Sequence, residues 1–509
     1  MTPRIQGKLA QSKRRIERRL DKTNLSGCSQ PMMTASNIHY EIAERGRGIT
    51  SGGIGLMHTL AGRLGLIDAL DQRLELLKIH LPYHESDHVL ALAYLPLCGG
   101  TCLQDLELLR HDEVLLDALG ARRIPDPTTA GDFCRRFTPQ SIQTLLDVIN
   151  DTRLKVWAKQ PPAFFEQARL DMDGFLIETT GQCKKGMDIA YDGTWGYHAC
   201  VLTLANTGEV LSIVNRPGNR PSHEGAATMV DQATAVCFRG GFRRVLLRGD
   251  TKFSQSEHLD RWDDDPRVRF IFGFEAMGNL KGIAEALPDR AWRPLQRPAR
   301  YEVKTAPRQR PDNVKEAVVV AREFENQRLR SEEVAEFNYR PTACRKTYRM
   351  VVVKKNISVE KGEKLLFDRV VHFFYITNEW VDEADEIVYS ANDRCDQENV
   401  LAQLGGGVRA LRAPVDNLES NWAFMVMTAL AWNLKAWWAL MLPELPGRYQ
   451  EKHRAEKRWV LRLEFKTFVN AFMRLPCQIV RTGRKLIYRL LGWNPHQPIF
   501  FRLVDVLRC

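Results

Sequence analysis

The apolar residues between positions 57 and 137 recur at helical spacing. Leu60, Leu64 and Ile67 lie three or four residues apart, and later leucines continue the pattern. Residues 139–158 show the same period, which is typical of a helix with one apolar face. The segment Asp126-Pro127-Thr128-Thr129 predicts a helix start, with the two threonines as candidate caps. The pattern therefore predicts a helical region up to about residue 165.

The period changes at Ala168. Residues 168–177 read as a strand, and a strand places Asp171 and Asp173 on the same face. Residues 196–204 and 209–214 predict two further strands joined by a turn, and residues 224–238 predict a helix. A buried strand over residues 243–249 then leads to Asp250, and another strand covers residues 268–273. The order β-β-β-α-β-α-β is that of a ribonuclease H-like sheet.

Two further regions follow this core. Residues 294–378 contain β-rich runs, such as 317–321 and 348–354, and predict an inserted β domain. Helical spacing returns at Glu398 and continues to the C-terminus. We therefore predict an α/β fold: a ribonuclease H-like catalytic core with a β-rich insertion, flanked by helical N- and C-terminal regions.

The distribution of charge separates the two ends from the middle. The chain has 509 residues, 44% of them hydrophobic, and a formal charge of +11, so wholesale disorder is not expected. Residues 1–24 carry eight basic and two acidic side chains (+6), and residues 446–509 carry fourteen and four (+10), which leaves −5 for residues 25–445. Basic flanks around an acidic middle suit a bound polyanion. A solvated tail is the alternative for the N-terminal arm.

The sequence gives no reason to expect secretion or membrane insertion. The first residues are polar and basic and lack the apolar core of a signal peptide, so we expect a cytoplasmic protein. The longest apolar stretch, residues 422–442, contains Asn433 and Lys435, which favours a buried helix over a membrane span. We expect no membrane partner.

Three carboxylates are candidates for phosphodiester chemistry: Asp173 in a strand, Asp250 at a strand end and Glu398 on the first turns of a helix. Two cations roughly 3.5–4 Å apart can activate an attacking oxygen and stabilise a leaving one. Mg²⁺ prefers oxygen ligands and takes few of them from protein, so three carboxylates suffice. We expect two Mg²⁺ ions, with Mn²⁺ as a substitute. Asp171 is the alternative first ligand, and Glu398 taken alone would more often be a solvated helix residue.

Several segments resemble one transposase class when taken in order. They are Leu170-Asp171-Met172-Asp173-Gly174, Gly196-Tyr197-His198, Arg216-Pro217-Gly218-Asn219, Leu247-Arg248-Gly249-Asp250-Thr251-Lys252-Phe253 and, upstream, the motif Asp126-Pro127-Thr128-Thr129-Ala130-Gly131-Asp132-Phe133. Together with Tyr389, Arg394, Glu398 and Asn399 they resemble bacterial insertion-sequence transposases of the Asp-Asp-Glu class. The nearest family is the one named after insertion sequence thirteen-eighty, and the likeness covers roughly residues 45–440.

The resemblance implies roles for these residues. Asp173, Asp250 and Glu398 fall on the metal ligands of the class, and Tyr389 and Arg394 fall on residues that assist DNA strand handling. It further implies a β insertion before the Glu, cut-and-paste excision through a hairpin, and a homodimer acting on paired ends in the bacterial nucleoid. The DNA partners would be the terminal inverted repeats and the target, both double-stranded.

The chain departs from the class pattern at three positions. Phe175 stands where Ser or Thr is common, which keeps Asp171 open as a ligand. Tyr389 lies five residues before Arg394 instead of three. Gly405 occupies the position seven after the Glu, where related families often carry a basic residue, and Arg409 and Arg412 are the alternatives for that DNA contact.

The C-terminal region supplies further candidates for phosphate contact at helical spacing: Arg454, Lys457, Arg458 and Arg462. The expected segments are a basic arm (1–30), a helical DNA-binding domain (31–165), the first part of the core (166–293), the insertion (294–378), the second part of the core with the Glu398 helix (379–445) and a basic helical region (446–509). A standalone nuclease of the same fold and a non-catalytic DNA-binding derivative of a transposase are the alternative functions.

Overall fold

The computed structural model describes residues 2–21, 35, 38–40, 47–297, 312–483 and 485–508. The predicted basic arm therefore lies only partly within the described residues. Its described part is one helix, α1 (Pro3–Leu20), which has no buried residue and carries Arg18 and Arg19 in its last turn.

The N-terminal region is helical, as its spacing predicts, and begins with one short strand. Its elements are β1 (Gly48–Ile49), α2 (Ile54–Arg63), α3 (Leu66–Arg73), α4 (Glu85–Leu97), α5 (Leu106–Arg110), α6 (Glu113–Leu119), α7 (Pro127–Cys134) and α8 (Pro139–Trp157). The threonines predicted to cap α7 do not do so. Asp126 is the cap, and its Oδ1 accepts the Thr129 backbone N–H at 2.9 Å. A carboxylate satisfies the unpaired N–H groups of a first turn well because it also faces the positive end of the helix.

The core is a mixed sheet with helices between its strands. In chain order it contains β2 (Ala168–Glu178), β3 (Asp188–Ile189), β4 (Trp195–Leu204), β5 (Glu209–Val214), α9 (Ala226–Arg239), β6 (Val245–Gly249), α10 (Ser256–Asp263), β7 (Val268–Phe274) and α11 (Gly278–Glu285). The strands lie in the order β5-β4-β2-β6-β7. β4 is antiparallel to β2 and β5, whereas β2, β6 and β7 are parallel. All five residues of β6 are buried, as expected for a parallel strand covered on both faces.

The β-rich region continues this sheet. It comprises β8 (Arg293–Pro294), α12 (Val314–Ala321), β9 (Glu325–Tyr339), β10 (Tyr348–Lys361) and β11 (Lys364–Thr377). β11 pairs with β7, Phe374 facing Phe274, so β2 to β11 form one sheet of ten described strands. The strand predicted for residues 317–321 is wrong, because these residues form the end of α12. Asn313 caps that helix by accepting the Glu316 backbone N–H at 3.1 Å.

The C-terminal part returns to helices but also contains a hairpin. Its elements are α13 (Ala384–Asp393), α14 (Asp396–Ala402), α15 (Leu418–Leu440), α16 (Gln450–Arg462), α17 (Phe465–Phe468), β12 (Cys477–Thr482), β13 (Lys485–Leu490) and α18 (Gln497–Arg508). The helical spacing therefore predicted the helices of this region but not its hairpin. The strands β12 and β13 pair with each other, and β12 also pairs with β1 through Ile49 and Cys477.

The long apolar helix α15 lies in the centre of the molecule. It packs against α4, α8 and β5, and nearly all of its residues are buried. Its two polar residues have partners: the Asn433 side chain accepts the Val210 backbone N–H at 2.8 Å, and Lys435 Nζ donates to the Leu461 carbonyl at 2.8 Å. The expectation of a buried helix is confirmed. Within the described residues, no helix is long and apolar enough to cross a membrane.

Candidate active site

Asp173 and Asp250 lie beside each other at the centre of the sheet. In the parallel pairing of β2 with β6, Met172 is opposite Gly249. Asp173 and Asp250 each follow directly along the chain, so they are neighbours across the two strands. Burial raises the pKa of the Asp173 carboxyl, and the nearby charge of Asp250 raises it further, against the lowering effect of Arg394. Two carboxylates held this close favour either a shared proton or a bound cation.

Each of these aspartates has one oxygen held by the backbone. Asp173 Oδ1 accepts the Gly174 N–H at 2.8 Å, and Asp250 Oδ1 accepts the Lys252 N–H at 2.9 Å. The second oxygen of Asp173 accepts from Arg394 Nη1 at 3.1 Å. The backbone thus fixes both carboxylates, and one guanidinium partly neutralises Asp173.

Asp171 has a different environment although it shares a face with Asp173. It is 1% exposed, and both of its oxygens accept from Arg248, at 2.7 and 2.8 Å. Arg248 also donates to the Ser390 carbonyl at 2.7 Å. This buried ion pair joins β2, β6 and α13 directly beneath the two aspartates. The geometry therefore favours a structural role for Asp171 and leaves Asp173 as the stronger ligand candidate.

The helix that carries Glu398 is anchored to β4, the strand next to β2. Gln397 is buried, its Nε2 donates to the Val201 carbonyl at 3.2 Å, and its Oε1 accepts the Thr203 hydroxyl. Val201 is the residue opposite Asp173 in the β2–β4 pairing. Glu398 follows directly and is exposed. The structure does not bring it into a ligand cluster: among the described residues, no group of three or more His, Cys, Asp or Glu side chains could hold a metal ion.

Two departures from the class pattern contact each other. A Cβ added to Gly405 would lie 3.0 Å from Phe175 Cζ, so the Phe175 ring fills the space in front of Gly405. A long basic side chain at position 405 would therefore have to displace this ring. Because Gly405 has no side chain, the Phe175 ring fits beside it. The two departures from the class pattern are therefore coupled.

Two of the remaining predicted DNA contacts donate to backbone carbonyls. The Tyr389 hydroxyl donates to the Gln296 carbonyl, and Arg409 Nη1 donates to the Thr101 carbonyl at 3.3 Å. Arg412 is exposed.

The basic residues of α16 divide between two faces. Arg458 and Arg462 are exposed. Arg454 forms ion pairs with Glu444 and Glu451, at 3.2 and 2.7 Å. Lys457 is buried and its Nζ donates to Gln160 Oε1 at 2.8 Å, so its expected contact with DNA is corrected to a packing role. The reason is the helical period, which places position 457 on a different side from 458 and 462.

Sequence reasoning missed two supporting residues, Arg248 and Gln397. Arg248 lies two residues before Asp250, and Gln397 lies immediately before Glu398. A charged residue inside an otherwise apolar strand was the available signal for Arg248, because a buried charge requires a partner. For Gln397 the sequence carried no comparable signal.

The fold and these aspartates define an α/β protein with a carboxylate pair at neighbouring strands of a large mixed sheet. Residues 32–509 match the sequence profile of the family described as "Transposase DDE domain group 1", so the chain belongs to that transposase family. Among solved structures, a piggyBac transposase synaptic complex with hairpin DNA is similar at a TM-score of 0.35 and 9% identity, covering 85% of this chain and 84% of that chain. A likeness this low carries no inference. The comparison with curated proteins gives no match.

Proposed function

We propose that the chain is a DNA transposase that binds the double-stranded ends of its insertion sequence and catalyses cut-and-paste transposition. The observation that carries the proposal is the pair Asp173 and Asp250 on adjacent parallel strands, in a chain of the DDE transposase family. The strand order β5-β4-β2-β6-β7 supports a ribonuclease H-like core. We also propose the insertion sequence thirteen-eighty group as its nearest family, and a homodimer as the active form.

The donor set at this site fits divalent cations in part. Asp173 and Asp250 supply the carboxylate oxygens that Mg²⁺ prefers, and a cation would offset the burial and the neighbouring Asp250 charge that raise the pKa of Asp173. Glu398 is the proposed third ligand and must approach the pair. A turn of π-helix, Gln403–Gly407, follows α14 directly, and irregular turns of this kind accommodate local rearrangement.

The roles of the side chains follow from their positions. When bound, two divalent cations would activate the attacking oxygen and stabilise the leaving oxygen. Asp173 and Asp250 would hold these cations through their carboxylate oxygens, with their backbone hydrogen bonds fixing the direction of each carboxylate. Arg394, which donates to Asp173 Oδ2, would exchange this carboxylate for a phosphate of the DNA backbone when a cation binds. Tyr389, Arg409, Arg412, Arg458 and Arg462 are proposed as further phosphate contacts.

Cleavage of a plasmid carrying the native element tests this proposal. With Mg²⁺ or Mn²⁺ the wild type should cut at the element ends and give strand-transfer products. Asp173→Asn, Asp250→Asn and Glu398→Gln should each lower the rate at least 100-fold, whereas Asp368→Asn, an exposed carboxylate on β11, should not. Cleavage without strand transfer would indicate a nuclease, and binding without cleavage would indicate a non-catalytic DNA-binding protein. Either result would overturn the proposal.

A further inference from the structure

The motif Asp126–Phe133 has no place in the proposed chemistry, yet it lines a cavity in the helical region. This cavity has a volume of about 360 Å³ and is bounded on one side by Asp126, Thr129, Asp132 and Phe133. The loop before α4 and three arginines complete its wall. Its size is that of a small-ligand pocket.

Positive charge dominates the cavity. Arg110, Arg123 and Arg136 line it against Asp126 and Asp132, three charges against two. Both aspartates are already engaged: Asp126 caps α7, and Asp132 pairs with Arg135 at 2.7 Å.

The three arginines differ in their own partners. Arg110 pairs with Glu107 at 3.2 Å. Within the described residues, neither Arg123 nor Arg136 has a carboxylate at ion-pair distance, and both are exposed. Arg136 Nη1 donates to the Leu76 carbonyl at 3.4 Å, which leaves its charge uncompensated. Two guanidinium groups therefore remain available to an anion at the cavity mouth.

A buried histidine forms part of the same wall. His88 is 3% exposed, stacks on Phe133 with ring centres 4.2 Å apart, and meets Tyr83 edge-on at 5.2 Å. Burial lowers the pKa of His88 to about 4, so the ring is neutral near pH 7. Its Nδ1 has no hydrogen-bond partner among the described residues. Polar atoms buried in this way are uncommon in a purely structural core.

We infer that this cavity binds a phosphate of the DNA backbone, held by Arg123 and Arg136. The inference rests on the proposed function, because it assigns a second contact to the DNA on which the carboxylates act. Guanidinium groups bind phosphate with paired, charge-assisted hydrogen bonds. Leu81 and Ile79 at the rim are 83% and 70% exposed and provide an apolar surface for the flanking deoxyribose.

The salt dependence of binding to a 30-base-pair duplex of mixed sequence tests the inference. The variants are Arg123→Gln, Arg136→Gln and the double variant, and the matched control is Arg122→Gln, an exposed neighbour that does not line the cavity. The slope of log affinity against log salt should fall by about 0.9 for each phosphate that is no longer neutralised, hence by about 0.9 in the double variant, in which one phosphate loses both guanidinium groups. Arg122→Gln should retain the wild-type slope. Circular dichroism of each variant verifies the fold.

The outcomes separate this inference from the proposed function. An unchanged slope in the double variant would overturn the inference even if the wild type cleaves its element. A reduced slope in a protein that never cleaves DNA would support the inference and contradict the proposed function. A wild type that binds no duplex at any salt concentration would overturn both.

Discussion

At the scale of single residues, the local partners of two aspartates give them different chemistry. Asp171 and Asp173 lie two positions apart on one strand, but a bidentate guanidinium occupies both oxygens of Asp171. Asp173 instead lies beside a second carboxylate, Asp250, and only one of its oxygens accepts from an arginine, Arg394. A carboxylate with both oxygens held by a buried guanidinium has no free ligand atom, whereas one that lies beside a second carboxylate favours a cation. This difference carries the assignment of Asp173.

The role of Arg248 can be tested by removing its charge. Arg248→Met leaves Asp171 buried without its partner, and breaking such a pair costs about 3–5 kcal/mol of unfolding free energy. Urea denaturation measures the decrease. The control is Arg244→Met, an exposed arginine just before the same strand, which should change stability by about 0.5 kcal/mol or less. A decrease below about 1 kcal/mol for Arg248→Met would contradict the structural role of the pair.

The choice between these aspartates could not be made from the sequence. Arg248 lies 77 residues from Asp171, and only the parallel pairing of β2 with β6 brings them together. The alternation of the strand predicted that both aspartates share a face, which is correct. It could not predict which of them another element would neutralise, because that depends on contacts distant in the chain.

At the scale of elements, the sequence predicted best where the hydrophobic period was long and regular. The strands over 168–177 and 268–273 and the helix over 139–158 agree with β2, β7 and α8. The strand predicted from the valines near 317–321 was wrong, because β-branched residues favour strands only when a neighbouring strand packs against them. The hairpin β12–β13 was not predicted. Its strand β12 also pairs with β1, which lies more than four hundred positions earlier in the chain.

The junction between α15 and α16 predicts a dependence of stability on pH. Burial lowers the pKa of Lys435 from its usual value near 10.5 to about 7. Between these values the unfolded chain binds a proton that the folded protein does not, so this group makes stability increase with pH.

Unfolding of wild type and Lys435→Met in urea from pH 6 to pH 9 measures this effect. The stability of the wild type relative to the variant should rise by about 1.4 kcal/mol per pH unit above pH 7. Lys466→Met, which alters an exposed lysine, should show no such trend. A difference between wild type and Lys435→Met that stays constant with pH would contradict the prediction.

At the scale of the whole molecule, residues from distant parts of the chain complete each other's structure. The turn before α2 packs against the C-terminal segment, where the Gly52 and Gly53 amides donate to the Leu475 and Met473 carbonyls at 3.0 Å. A Cβ on Gly53 would lie 2.0 Å from the Phe472 carbonyl oxygen, so only glycine fits there. The proposed catalytic site likewise combines distant parts of the chain, because it uses strands β2 and β6 and the helix that carries Glu398.

The central claim is that Asp173 and Asp250 together bind divalent cations, and Mn²⁺ binding followed by electron paramagnetic resonance tests it most directly. We predict that the wild type binds Mn²⁺, that Asp173→Asn and Asp250→Asn each weaken binding at least tenfold, and that Asp368→Asn binds as the wild type does. Glu398→Gln should weaken binding once duplex DNA is present. Wild-type affinity for Mn²⁺ in both Asp173→Asn and Asp250→Asn would contradict the account.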